Sequence, residues 1–280
     1  MTGLTDHVFA FVGGLHRSGT TPMARALAGH AQVSGFSGTG VVEDEGQHLQ
    51  SVYPPARAQG GPGRFALSDR VHLTERSDLV STASAGLLFE QWQPHWDLSR
   101  PVLLEKSPPN LVMSRFLQAL FPSARFIMVV RHPVIVALST KKWARKTPLS
   151  QLLDHWFQAH DVLREDAPHV RHLHAVKYED FVSRPDEALG GIATFLGLDG
   201  AVSADSVDPA RSTAYAQAWH DMQTSSSWFT RRRMTGLYGR FEERANSYGY
   251  SLLVLEQYAP LRLPLAGGRV PDEASPRPPS

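Results

Sequence analysis

VFAFVGGLHRSGTTPMARAL, residues 8–27, is the stretch that decides the fold. Val8 to Val12 is a short, continuous apolar run of the kind that forms a strand buried on both faces. Gly13 and Gly14 break it, a polar loop follows, and the pattern predicts a helix opening at Pro22, where a missing N–H costs nothing. A strand, a glycine loop and a helix N-terminus in succession make an anion site, because backbone N–H groups and the positive end of the helix dipole converge on it. Against the pattern G-x-x-x-x-G-K-[ST], Gly14, Gly19 and Thr21 fit, whereas Thr20 stands where the lysine belongs and the positive charge sits at Arg17. An NTPase needs that lysine on its β- and γ-phosphates beside Mg²⁺. Its absence points to a different phosphoanhydride, held by Gly14, His16, Arg17, Ser18, Gly19, Thr20 and Thr21. A turn in which the glycines serve geometry alone stays open as the alternative.

The rest of the 280-residue chain is consistent with one sizeable core, at 42% hydrophobic composition. A formal net charge of +1 gives no general polyanion signature, so a nucleic-acid partner is not expected. The chain has no cysteine, which excludes disulfides, a thiol nucleophile and cysteine metal sites. The histidines form no H-E-x-x-H spacing, and no metal is expected. No basic segment precedes the first apolar run, and no apolar stretch is long enough for a bilayer, so the expectation is a cytoplasmic protein without a transmembrane segment.

Further strands are expected at Pro101–Glu105, Arg125–Val130 and His172–Val176. Helices are expected over Thr74–Trp92, Asn110–Leu120, from Pro133, around Leu149–Phe157, over Pro185–Leu196 with Gly197 as its cap, and near Phe241–Tyr248. His30–Gly40 reads as a loop, Tyr53–Gly63 as a Pro/Gly surface segment, and Asp199–Arg211 as poorly ordered. Strands alternating with helices argue for a parallel sheet covered on both faces. Such sheets bind ligands beyond the carboxyl ends of their strands. The segments Gly13–Thr21, Lys106–Pro108 and Arg131–Ser139 should therefore meet in one crevice. Each carries a cation, Arg17, Lys106 or Arg131, and no strand-end aspartate is present to hold Mg²⁺. Glu105 reads as an ion-pair or helix-capping residue. A ligand with several negative groups, neutralised by cations, is the implication. The helix begun by Pro133 would return Ser139 over the strand end, where an arginine fork and a hydroxyl can share one phosphate.

Gly14-x-x-Arg17-Ser18-Gly19-Thr20-Thr21, then Glu105-Lys106-Ser107-Pro108, then Arg131-x-Pro133 with Ser139, resemble the motif set of the PAPS-dependent sulfotransferases (PAPS is 3′-phosphoadenosine 5′-phosphosulfate). The likeness is greatest to the bacterial and tyrosylprotein-type branch. Lys177-Tyr178-Glu179-Asp180 and Phe195-Leu196-Gly197-Leu198 extend it, so that it covers roughly Phe9 to Leu198. The resemblance implies an α/β, P-loop-NTPase-like three-layer fold with a central parallel sheet flanked by helices. One domain is expected over residues 1–266, and residues 267–280, rich in Pro and Ser, read as a disordered tail. The resemblance implies PAPS as donor and PAP as product, without metal. The first loop would hold the 5′-phosphosulfate, and Arg131 with Ser139 the 3′-phosphate.

Sulfuryl transfer needs stabilisation of charge on the leaving phosphate and the sulfuryl oxygens. Arg17 and Lys106 are the candidates for it, assisted by the hydroxyls of Thr20 and Thr21. The acceptor hydroxyl needs a base. The resemblance places it just after the first helix, where Glu45, His48 and Glu43 are available in that order of preference. Arg231, Arg232 and Arg233 match a basic segment that closes over the nucleotide in related enzymes, without its usual glycine. The expected acceptor is a small molecule, a saccharide or a glycolipid. A P-loop kinase or NTPase with a degenerate loop, and a non-catalytic PAP-binding module, are the competing readings.

Overall fold

A computed structural model describes residues 6–205 and 212–266. The sequence expectation for 267–280, and that for the last six residues of Asp199–Arg211, lies outside the described residues. The first elements are β1 (Val8–Gly13), α1 (Thr20–Ala28), β2 (Val33–Gly35) and α2 (Thr82–Trp92). Next come β3 (Val102–Lys106), α3 (Ser114–Leu120), β4 (Arg125–Val130), α4 (Pro133–Thr140) and α5 (Leu149–Asp166). The chain continues with β5 (Leu173–Lys177), α6 (Tyr178–Ser183), α7 (Pro185–Leu196), α8 (Thr213–Gln223) and α9 (Trp228–Ser247). The five strands form one parallel sheet in the order β2-β3-β1-β4-β5. This is the expected P-loop-NTPase-like three-layer arrangement.

The side-chain alternation of β1 builds the two layers. Phe9 and Phe11 pack on one face with Trp92 of α2, Phe116 of α3, Trp156 of α5 and Phe241 of α9. Ala10 and Val12 face the other way, against Met23 and Leu27 of α1, Phe181 of α6 and Ile192 of α7. Because β1 lies between β3 and β4, Gly13, Lys106 and Arg131 emerge side by side at one sheet edge. That adjacency positions the site. Among the described residues, no helix is long and apolar enough to cross a membrane.

Several boundaries differ from the sequence expectation. The helix after the first loop starts at Thr20, two residues before Pro22, with Gly19 as its N-cap. A three-residue edge strand, β2, interrupts the predicted His30–Gly40 loop. The predicted Thr74–Trp92 helix starts only at Thr82, capped by Ser81. Upstream, the Thr74 and Ser77 hydroxyls accept from the backbone N–H of Arg76 and Leu79 and fold turns instead. The Asn110–Leu120 helix is split, with 3₁₀ geometry over Pro108–Val112 before α3. Helix α8 was not expected, and α9 extends upstream through the basic cluster to Trp228.

The core also holds three buried histidines, His132, His155 and His160. Desolvation pushes their pKa values down to about 3, about 3 and about 4. Unfolded, they titrate near 6.5, so unfolding below that pH takes up a proton at each. Glu105, pushed up to about 7 by burial, and Glu179, also raised by burial, act in the opposite sense. His16, its pKa also lowered to about 3, acts with them, and the net is an uptake of about two to three protons near pH 5. Stability should therefore be fully present above pH ~6.5 and fall by roughly 1.4 kcal/mol per net proton for each pH unit below it. Urea denaturation at several pH values measures this, and a flat or rising profile between about pH 6.5 and 5 contradicts it.

Candidate functional site

The loop between β1 and α1 is shaped by three residues of positive φ, Gly14, Arg17 and Gly19. Gly19 has φ 102°, and a Cβ there would meet the Tyr178 ring at 2.3 Å. Arg17 has φ 74°, a conformation that costs a residue with a Cβ roughly 1–2 kcal/mol. Arg131 holds it in place by donating from Nη1 to the Arg17 carbonyl at 2.8 Å. The Arg17 guanidinium itself lies 5.1 Å from the centroid of the Trp143 ring. The first turn of α1 presents N–H groups that have no partner within the helix.

Arg131, at the end of β4, is buried, and its guanidinium lies 4.1 Å from the centroid of the Tyr178 ring. Nη2 donates to Ser212 Oγ at 2.7 Å, and Nε has no partner. Burial pushes its pKa below the ordinary arginine value. Among the described residues neither Arg17 nor Arg131 forms an ion pair. Ser18 Oγ, also buried, has no partner. Glu179 acts on Arg131 only from beyond ion-pair distance, and a buried cation without a contacting carboxylate is costly, so this set of donors fits an anion.

Lys106, at the end of β3, is compensated differently. Its Nζ donates to the Glu43 carbonyl at 2.7 Å and pairs with Glu45 Oε1 at 3.2 Å. Glu45 is buried, receives a hydrogen bond from Gln47 Nε2, and has His48 Nε2 at 3.8 Å from Oε2. Desolvation lowers the His48 pKa. Glu43, with φ 53°, accepts from Thr21 Oγ1 at 3.3 Å. Asp44, also left-handed, is anchored by the Thr39 N–H and hydroxyl.

Glu105 is neither in an ion pair nor at a helix cap, contrary to the sequence expectation. Strand alternation turns it away from Lys106 into the interior. Its Oε1 accepts from the Gly46 N–H at 3.0 Å and from Ser107 Oγ, and Oε2 accepts from Asn110 Nδ2 at 2.6 Å. Ser107 Oγ accepts in turn from the Gln47 N–H at 3.0 Å. This clamp fixes the segment that carries Glu45 and His48 onto the strand end.

His16, Arg17, Gly19, Thr20 and Thr21 line a cleft of ≈ 650 Å³ together with Glu43, Glu45, His48 and Arg131. Lys106 reaches its wall through Glu43 and Glu45. Burial and the nearby Lys106 charge lower the His16 pKa to about 3, so its ring is neutral. Tyr178 and Tyr215 line the cleft as well. Tyr178 lies in the Lys177–Asp180 segment already noted in the sequence. Nothing in the sequence marked Ser212 or Tyr215.

Two of the expected groups stand apart from the lining of this cleft. Ser139 does not line the cleft. It lies six residues past Pro133 along α4, about 9 Å of rise, and its hydroxyl donates to the Val136 carbonyl at 3.1 Å. Ser212 is the hydroxyl beside Arg131 instead. Arg231, Arg232 and Arg233 are exposed on α9, and none of them lines the cleft. Arg232 lies over the Trp228 ring at 5.4 Å, and Arg233 lines a separate groove with Lys141. Among the described residues no cluster of three His, Asp or Glu is arranged to hold a metal ion.

A fold with a cation-lined cleft of this kind suits an anionic ligand, and comparison with known proteins assigns the family. The model described as "Sulfotransferase family" matches residues 10–201, more than half of the chain, which belongs to that family. The chain is 26% identical over 197 residues to Protein-tyrosine sulfotransferase 2 of Gallus gallus, covering 67% of this chain and 50% of that protein. It is 27% identical over 200 residues to the Protein-tyrosine sulfotransferase of Drosophila melanogaster, covering 67% and 38% respectively. It thus spans half or less of the length of these relatives. Among solved structures, the sulfotransferase domain from the Synechococcus PCC 7002 olefin synthase is 19% identical with a TM-score of 0.48, covering 82% of this chain and 94% of that one. The family uses PAPS as donor and releases PAP.

The Glu105 clamp has a direct test. A Cβ on Gly46 would meet Glu105 Oε1 at 2.5 Å and its Cγ at 2.6 Å. Gly46→Ala should cost about 1–3 kcal/mol of overpacking strain. Gly86→Ala, in α2 with nothing within 4 Å of its Cβ, should instead gain about 0.5–1 kcal/mol. Urea denaturation of the two variants should give shifts of opposite sign.

Proposed function

We propose that this chain is a PAPS-dependent sulfotransferase acting on a hydroxyl acceptor in the cleft. One observation carries the reading. Arg17 and Arg131, two cations without an ion-paired carboxylate among the described residues, meet at the N-terminus of α1, joined by the Arg131–Arg17 carbonyl bond. The donor brings a phosphosulfate and a 3′-phosphate, and the site offers two matching groups of donors. The loop N–H groups, Arg17, Thr20 and Thr21 take the 5′ side. Arg131 and Ser212 take the 3′-phosphate.

A sulfuryl group carries less charge than a terminal phosphoryl group, so cations and backbone dipoles suffice for it. As the acceptor oxygen forms its bond to sulfur, the bond from sulfur to the 5′-phosphate oxygen breaks and PAP leaves. The acceptor proton goes to Glu45, whose carboxylate faces the cleft beside His48. Lys106, held at 3.2 Å from Glu45, stabilises the negative charge on the leaving oxygen. Val42, Pro62 and Trp143 in the lining favour an acceptor with an apolar body, such as a small-molecule or glycolipid hydroxyl. The relatives named as protein-tyrosine sulfotransferases make a protein tyrosine the alternative acceptor.

Arg131→Ala should weaken PAP far more than adenosine 5′-phosphosulfate, which lacks the 3′-phosphate. Calorimetric titration of both ligands decides it, and equal losses remove the role given to Arg131. Lys106→Ala should lower kcat by about 10²–10³ while leaving the PAP-induced thermal shift in place. Stabilisation by ATP with Mg²⁺ exceeding that by PAP alone would return the chain to the kinase reading.

A further inference from the structure

The cations of α9 fall into two groups. Arg240 and Arg244, in its later turns, pair with Asp154 and Asp161 of α5. Arg231, Arg232 and Arg233, in its first two turns, form no ion pair among the described residues. Lys142, Arg145 and Lys146, after α4, likewise form none. The two sets are neighbours, because Arg233 and Lys141 line one groove of ≈ 520 Å³. Lys141 precedes Lys142 and donates to the Arg145 carbonyl, so six cations without an ion pair among the described residues sit on two adjoining segments of a chain whose formal net charge is only +1.

Large aromatic side chains stand among these charges. Trp228 is 61% exposed, Phe229 78% and Trp143 59%. Trp228 lies five residues before Arg233, roughly 7–8 Å along the helix. Phe229 and Arg233 are four residues apart, so they share one flank of α9. The buried stripe of Met234, Leu237 and Phe241 begins beyond them along the helix, and Phe229 and Arg233 are themselves exposed. Large exposed aromatic rings beside uncompensated cations need a partner that is negative at its surface and apolar just beneath it.

We propose that the first two turns of α9 and the 141–147 segment form a docking surface for an anionic lipid bilayer. The arginines and lysines match anionic headgroups, and Trp228 and Phe229 enter the interface, where aromatic rings are favoured. A nucleic acid fits the aromatic pair less well. Trp228 and Phe229 meet edge to face at a centroid distance of 5.0 Å, and Arg232 lies over the Trp228 ring, so they do not form an open stacking platform. The surface adjoins the cleft mouth, since Trp143 lines the cleft and Lys142 lies 5.5 Å from the Tyr215 ring centroid. Resting on the sulfuryl-transfer reading, the consequence is an acceptor class: a hydroxyl on a molecule presented at a membrane surface.

The experiment is co-sedimentation of the full chain with phosphatidylcholine vesicles, with and without about one-third phosphatidylserine. The wild type should bind the anionic vesicles, less so as salt is raised. Arg231→Gln/Arg232→Gln/Arg233→Gln should reduce partitioning by about 100-fold and Trp228→Ser/Phe229→Ser by about tenfold. Both variants should keep their melting temperatures and the PAP-induced thermal shift of the wild type. Equal binding to both kinds of vesicle, or to neither, overturns the proposal. So does undiminished vesicle binding by the Trp228/Phe229 variant, which would mark a purely ionic surface for some other polyanion. Loss of the PAP shift in the triple arginine variant also overturns it and returns those residues to the nucleotide. Failure of PAP to shift the wild type, with vesicle binding intact, would instead defeat the sulfotransferase reading and leave the surface standing.

Discussion

The site depends on one buried carboxylate. Glu105 has no solvent exposure, yet every bond made to it is from a neutral donor: the Gly46 N–H, the Ser107 hydroxyl and the Asn110 amide. Asn110 also donates to the Val12 carbonyl, so the same network fastens β1 to β3 where the phosphate-loop chain departs. Trp92 donates to the Gly46 carbonyl from α2. Together with the Lys106–Glu43 and Thr39–Asp44 bonds, they hold an irregular segment whose local structure is short 3₁₀ turns. An unsatisfied buried carboxylate or N–H is expensive, so the bonds are strongest as a complete set. The pKa of about 7 follows from desolvation outweighing these donors and the Lys106 charge.

The second constraint is topological. Placing β1 between β3 and β4 brings three strand ends to one edge, and each delivers a cation. Their states differ. Arg131 is buried against the Tyr178 ring and fastened to the Arg17 carbonyl, Arg17 is exposed, and Lys106 is neutralised by Glu45. A donor anion entering the cleft therefore meets two uncompensated guanidinium groups and one ammonium already engaged. Under the proposed reading, Lys106 must divide its charge between the base and the leaving phosphate. The ion pair thus joins the cation that would meet the donor to the candidate base.

The sheet was legible because strands buried on both faces are written as unbroken apolar runs. Val8–Val12 and Arg125–Val130 needed no tertiary information, and the edge rule for parallel sheets then grouped Arg17, Lys106 and Arg131. Strand β2 escaped because three edge residues carry almost no periodic signal. Helix α9 was read short because its buried positions, Met234, Leu237 and Phe241, are diluted by arginines and glycines.

What the sequence concealed is polar partnership between distant elements. A hydroxyl at Ser139 suits an arginine eight positions earlier, but helical rise carries it away, and its own helix takes up the bond. Ser212, 81 positions from Arg131, has no local sign of its role. Glu105 carries the same lesson, since its partners lie at the next turn and 59 positions upstream. Apolar burial follows a local period, whereas a buried hydrogen bond answers only to whatever donor the fold brings within 3 Å or so. The cations and glycines of such a site can therefore be read from order along the chain. The hydroxyls and carboxylates that hold them in place require the folded arrangement.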